Sequence, residues 1–129
     1  MKIKIVLFIL PVMISSMLTA CQGKQPSAVV AAQNYLQARV ASNVDGMIGL
    51  ACPAWEAPAR IEASTFEALQ ARLEGMECSE ASNDGSTALV ACKGKIVTTY
   101  NGENKEWNLA DRQFKLVLED GEWRMCGYE

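Results

Sequence analysis

The chain has 129 residues, 12 of them basic, 15 acidic and none histidine, for a formal charge of −3 at pH 7. A net-acidic chain with no Lys/Arg cluster is a poor match for phosphate backbones or anionic lipid surfaces, so nucleic-acid binding and polybasic membrane adhesion are excluded. The absence of imidazole removes the usual acid–base partner of a nucleophile and leaves zinc only scattered thiolates, and the length allows one domain and not two.

Lys2 and Lys4 precede an apolar run from Ile5 to Met17 and the small residues Thr19 and Ala20. A charged tip, a short apolar core and a small-residue cut site predict a secretory signal peptide. The run is broken by Pro11, Ser15 and Ser16 and falls short of the roughly 20 apolar residues that span a bilayer. Leu18-Thr19-Ala20-Cys21 resembles the lipobox of bacterial lipoproteins, which implies cleavage before Cys21 and acylation of its thiol. The expected organisation is a signal peptide over 1–20, a lipidated tether over 21–26 and a single α+β domain over 27–129. Without residues 1–20, ten basic side chains face fifteen acidic ones, a formal charge of −5. Attachment to the lipid bilayer then comes from the acyl chains on Cys21, two or more of which hold a protein stably. Gln22 is not the aspartate that retains lipoproteins at the inner membrane. The same resemblance therefore implies the periplasmic side of the outer membrane in a diderm host, and otherwise the outer face of the cell membrane.

Pro26 and Ser27 open a predicted helix in which Val29, Ala32, Tyr35, Leu36 and Val40 return at helical spacing. It ends near Ser42-Asn43. A shorter helix carrying Met47, Ile48 and Leu50 follows and yields by Cys52-Pro53, because the residue before proline avoids helical angles. Trp55 to Ala63 reads as a loose helical turn. Ser64 and Glu67 form a capping-box pattern that predicts a third helix with Phe66, Leu69 and Leu73 on one face, stopped by Gly75.

From Met76 the period changes to that of strands. Met76–Ser82, Thr87–Tyr100, Glu106–Leu118 and Glu122–Tyr128 are separated by Asn83-Asp84-Gly85, Asn101-Gly102 and Asp120-Gly121, the strongest short hairpin signals. The expected fold is α+β, with N-terminal helices packed on a curved four-stranded antiparallel sheet.

With Cys21 assigned to lipid, Cys52, Cys78, Cys92 and Cys126 remain, an even number that in an exported chain reads as two disulfides with three possible connectivities. A tight loop at Asp84-Gly85-Ser86 sets Cys78 opposite Cys92, which leaves Cys52 to pair with Cys126. Counting across two-residue turns puts Cys92, Ile96, Trp107, Leu109 and Cys126 on one sheet face and Phe114, Leu116, Leu118, Trp123 and Met125 on the other. Either a bulge near Asp111-Arg112 shifts the register, or both faces are covered, one of them by a second copy of the chain.

This order of elements, closing on Gly121-Glu122-Trp123-Arg124-Met125-Cys126, resembles the nuclear transport factor 2-like superfamily, whose members include ketosteroid isomerases and scytalone dehydratases. Within it the chain is most similar to small bacterial lipoproteins, through Cys52-Pro53-Ala54-Trp55-Glu56, Cys78, Cys92-Lys93-Gly94-Lys95-Ile96, Tyr100-Asn101-Gly102-Glu103 and the closing Glu122 to Tyr128. The resemblance implies a cone with a cavity between sheet and helices; it implies an architecture and not a reaction.

Isomerases of this fold use a cavity carboxylate with a tyrosine or protonated acid, for which Asp111 and Tyr35 are the nearest equivalents. No base, donor and substrate clamp converge around them, so no catalytic residue is assigned. Tyr35, Trp55, Tyr100 and Trp107 are the candidate pocket residues, with Trp55 set to guard a cavity mouth. Glu119, Asp120 and Glu122 gather at a turn without the alternating ligand spacing of a calcium loop, so no metal or other cofactor is expected. The expected function is a non-catalytic, membrane-anchored binding module for a small apolar ligand or a protein. The alternatives are a homodimer assembled through the open sheet face and, behind it, an isomerase-like enzyme.

Overall fold

A computed structural model describes residues 26–129. The segment expected to be a signal peptide, Cys21 and the expected tether as far as Gln25 lie outside the described residues.

Helix α1, Ala28–Val40, starts where Ser27 Oγ accepts the Val30 N–H at 3.3 Å, and it buries Ala31, Ala32, Tyr35 and Leu36. Helix α2, Val44–Gly49, is capped by Asn43 Oδ1, which accepts the Gly46 N–H at 2.9 Å, and it buries Met47. A single helical turn at Pro53–Trp55 leads into α3, Glu56–Thr65. Pro58 is tolerated in α3 because it sits in the first turn, where a missing N–H costs no intrahelical bond.

The helix expected to begin at Ser64 is not formed. Ser64 and Thr65 instead close α3, both hydroxyls donating back to the Ile61 carbonyl at 2.8 and 2.9 Å. Hydroxyls that bond backwards this way compete with the helix ladder. The chain then reverses through Ala68 and Gln70, both at positive φ, and enters β1 at Arg72, four residues before the expected strand start.

The strands are β1 (Arg72–Asn83), β2 (Thr87–Tyr100), β3 (Glu103–Asn108), β4 (Phe114–Glu119) and β5 (Glu122–Tyr128). The sheet is wholly antiparallel in the order β1-β2-β4-β5. Strand β2 pairs with β1 on one edge and on the other is shared, Thr87–Val90 with β4 and Lys95–Tyr100 with β3. Five strands thus stand where four were expected. The predicted strand Glu106–Leu118 is split by a helical turn at Leu109–Asp111, whose first free N–H, that of Ala110, is accepted by Asn108 Oδ1 at 3.0 Å.

That detour decides which face is core. Directly opposed residues share a face, so Ala88 with Leu116, Val90 with Phe114, and Leu116 with Met125 all point toward the helices beside Cys92 and Ile96. Phe114, Leu116 and Met125 therefore lie on the same face as Cys92, not opposite it as the unbroken-strand count had them. Cys126 is the residue on the far face. A second bulge at Cys126-Gly127, with Gly127 at φ +136°, then lets Tyr128 pair with Phe114. Part of the back of the sheet carries cross-strand charge: Glu77 faces Lys93, Glu74 faces Lys95, and Lys95 also meets Glu106, while Leu89 and Val117 lie further along it.

Cys52 pairs with Cys126 across a Cα distance of 5.4 Å, and Cys78 with Cys92 across 4.0 Å. Disulfides persist in oxidising, extracytoplasmic compartments. No helix among the described residues is long and apolar enough to cross a membrane.

At the β1 bulge Gly75 and Gly94 bring two backbones together. Gly94 has φ +96°, and a Cβ there would meet the carbonyl oxygen of Gly75 and lie 2.6 Å from that of Glu74. Gly94→Ala is expected to lower the unfolding free energy by roughly 2–3 kcal/mol through strain and ladder displacement, read by urea denaturation. A loss below about 0.5 kcal/mol, the size of an ordinary surface substitution, would sink this account.

Candidate functional site

Four elements converge where α1 and α3 cross the end of β5. Tyr35 of α1 is fully buried. Its hydroxyl donates to Glu62 Oε2 of α3 at 2.6 Å and accepts from Trp55 Nε1 at 3.0 Å. Tyr128 of β5 donates to the other oxygen, Glu62 Oε1, at 2.7 Å. One turn after Tyr35, Arg39 reaches the same group: Nη1 lies 3.4 Å from the Tyr128 hydroxyl and 3.8 Å from Glu62 Oε1. The spacing 35/39 places both side chains on one helix face, and 62 meets them from α3. Trp55 packs edge-on against Tyr128 at 5.6 Å, beside Gly127, which takes a φ of +136°.

Both tyrosines are held in the neutral, hydrogen-donating form. Burial and then the Glu62 carboxylate push Tyr35 well above the ordinary 10.0. Tyr128 moves the same way for the same two reasons, with Arg39 acting in opposition. Chemically this is a carboxylate with each oxygen accepting a tyrosine hydroxyl, a clamp between helices and sheet.

An open cavity of about 290 Å³ lies on the other side of Arg39. Its floor is Ile96 and Phe114 of the sheet; Phe66, Trp107 and Leu109 supply apolar walls, and Arg112 stands at the rim. Phe66 and Trp107 meet edge-on at 5.8 Å, and the Arg39 guanidinium lies 5.0 Å from the Phe66 ring centre. The volume is at the small end of ligand pockets, which run to about 300–1,000 Å³.

The four candidate pocket residues thus part company. Tyr35 and Trp55 join the buried clamp. Trp107 lines the cavity at 37 % exposure, its ring covered by the Lys105 ammonium at 4.3 Å. Tyr100, 64 % exposed at the end of β2, belongs to neither. Asp111 lines the cavity but Tyr35 does not, so the isomerase-like pair is not brought to one space. At the acidic turn Glu122 is paired with Arg124 at 2.7 Å, and Glu119 lies near Cys52 and Cys126, whose sulfurs are bonded to each other. Sequence reasoning missed Arg39, Glu62 and Arg112. Each is one charged residue among many on its own segment, and only the packing of α1, α3 and β5 distinguishes it.

No protein-family profile matches the chain, and no curated relative does. Solved structures do. A Mycobacterium tuberculosis protein of unknown function superposes with a TM-score of 0.57 at 14 % identity, over 78 % of this chain and 68 % of that one. A nuclear transport factor 2-like protein with a cystatin-like fold from Novosphingobium aromaticivorans gives 0.53 at 12 %, over 75 % and 73 %. A candidate polyketide cyclase of Xanthomonas campestris gives 0.51 at 12 %, over 78 % and 89 %. The fold is the nuclear transport factor 2-like cone.

Proposed function

We propose that this protein is a lipid-anchored, extracytoplasmic binding module that takes a small, largely apolar ligand without chemically changing it. The observation that carries the reading is the cavity beside Arg39: an aromatic-walled recess on the helix side of the sheet, bounded by a clamp that no substrate needs to open. Catalysis on this fold needs a free carboxylate and a donor in one space; Glu62 has both oxygens occupied, and Asp111 has no tyrosine beside it in the cavity lining. The anchor rests on the Leu18-Thr19-Ala20-Cys21 pattern, and the two disulfides support an oxidising compartment. Assembly through the back of the sheet has less in its favour, because Glu/Lys pairs occupy its β1–β2–β3 part.

Native mass spectrometry of the exported Cys21→Ser protein is expected to show a mass excess that disappears on denaturation. Titration with a neutral naphthylamine dye is expected to shift Trp107 emission, a response absent in Trp107→Phe. A bare chain that also fails to respond to the dye would overturn the binding reading. Acyl labelling lost in Cys21→Ser tests the anchor separately.

A further inference from the structure

Resting on that reading of the cavity, its charges specify the ligand further. Four charged residues line it: Arg39, Glu106, Asp111 and Arg112. Glu106 is tied to Lys95 on the neighbouring strand. Arg39 makes its side-chain polar contacts through Nη1 alone, and its Nε is enclosed with no acceptor among the described residues. Nη2 is therefore the free donor of a guanidinium that lines the cavity, a group suited to a charge-assisted hydrogen bond with a carboxylate oxygen. Arg112 makes no ion pair among the described residues, and its guanidinium lies 4.7 Å over the Tyr128 ring. Both arginines therefore flank one side chain, Arg39 at the Tyr128 hydroxyl and Arg112 at its ring.

Nη2 has no acceptor among the described residues and, unlike Nε, is not enclosed, so it is the Arg39 donor that an anion in the cavity can reach. Glu62 offsets the Arg39 charge but spends its oxygens on the two tyrosine hydroxyls as well. Of the two acids in the lining, only Asp111 lacks a cationic partner among the described residues, and it stands exposed at the rim. We propose that the cavity takes a small aromatic or alicyclic carboxylic acid, its ring against Phe66, Trp107 and Leu109 and its carboxylate between Arg39 and Arg112.

The test compares naphthalene-1-carboxylate with its neutral amide, binding both to the full chain by calorimetry and by tryptophan emission. The acid is expected to bind at least about ten-fold tighter, the size of one charge-assisted hydrogen bond. Arg112→Met is expected to narrow the preference for the acid over the amide several-fold, with the remainder carried by Arg39; an unchanged preference would overturn the role of Arg112. Asp111→Asn is expected to tighten the acid a few-fold by removing a like charge, whereas a site built for a cation would weaken. Equal affinity for acid and amide would overturn the carboxylate assignment and leave the apolar cavity standing. Binding of neither would overturn both readings. Arg112 is exposed and makes no hydrogen bond to Glu62, Tyr35 or the Tyr128 hydroxyl among the described residues, so its variant keeps the clamp's hydrogen bonds.

Discussion

Cys52→Ala with Cys126→Ala is expected to lower the unfolding free energy by about 4–5 kcal/mol in the chain-entropy account, against about 3 kcal/mol for Cys78→Ala with Cys92→Ala. The difference follows from the loops closed: the first pair is separated by 74 residues and the second by 14. The longer loop encloses α3 and almost the whole sheet, so its removal frees far more of the unfolded chain. It also releases a seam that the hairpins do not hold. Ala51 bridges Met125, with the Cys52 N–H donating to the Met125 carbonyl at 2.9 Å and the Met125 N–H to the Leu50 carbonyl at 2.8 Å. Those two bonds fasten the connection after α2 to the edge of β5. Cys78 and Cys92, by contrast, sit on strands already paired from Arg72 to Asn83. Denaturant titration of the two double variants measures the ordering directly. A smaller loss for the Cys52/Cys126 variant than for the other would contradict it.

Glu62→Ala is expected to cost roughly 3–5 kcal/mol, because it strands the Arg39 charge and leaves two buried tyrosine hydroxyls without an acceptor. Glu62→Gln, which keeps one carbonyl oxygen in place, is expected to cost about half as much. The same clamp predicts a pH dependence. Tyr35 and Tyr128 are raised above the ordinary 10.0 in the folded chain. Below pH 10 folded and unfolded chains hold these protons alike and the contribution is fully present. Above it the unfolded tyrosines ionise first, so stability falls as pH rises. Two tyrosinate equivalents are therefore expected to appear at 295 nm only together with unfolding. Their appearance in a chain that still melts cooperatively would show that the clamp does not hold them. A loss below about 1 kcal/mol in Glu62→Ala would show that water satisfies the tyrosines in its place.

Local chemistry made much of this architecture legible. Ser27 and the alternating Ala28–Val40 face announce α1, Asn83-Asp84-Gly85 and Asp120-Gly121 announce two hairpins, and the first hairpin brings Cys78 to Cys92. Asp84 shows why such turns read well: its Oδ1 accepts from Ser86 and Thr87 within its own loop, at 2.8 and 2.7 Å. The failures have a common cause in competition from outside the segment. Ser64 and Glu67 carry a capping-box pattern, yet the Leu69 carbonyl accepts from Thr99 of β2 at 2.7 Å, and that bond draws the segment into a reversal. A bulge near Asp111-Arg112 is readable from the sequence, but the helical turn that forms at Leu109–Asp111, which decides the core face, depends on β4 finding the first half of β2 and not the second. The site residues were the least legible. Glu62 and Tyr128 are 66 positions apart, and nothing in either neighbourhood marks them as partners.

The detour between β3 and β4 has a bearing on how such a protein can diversify. Leu109, Asp111 and Arg112 shape the mouth of the cavity, yet the stretch from Leu109 to Arg112 takes no part in the sheet ladder. Leu109 is held by the core, but the exposed residues Ala110, Asp111 and Arg112, exempt from the ladder, can be exchanged with little penalty to the scaffold that carries them. In the proposed binding module, ligand preference would thereby be uncoupled from fold stability, and a lineage could retune what the cone accepts by drifting through a few rim positions while its clamp and disulfides stay fixed.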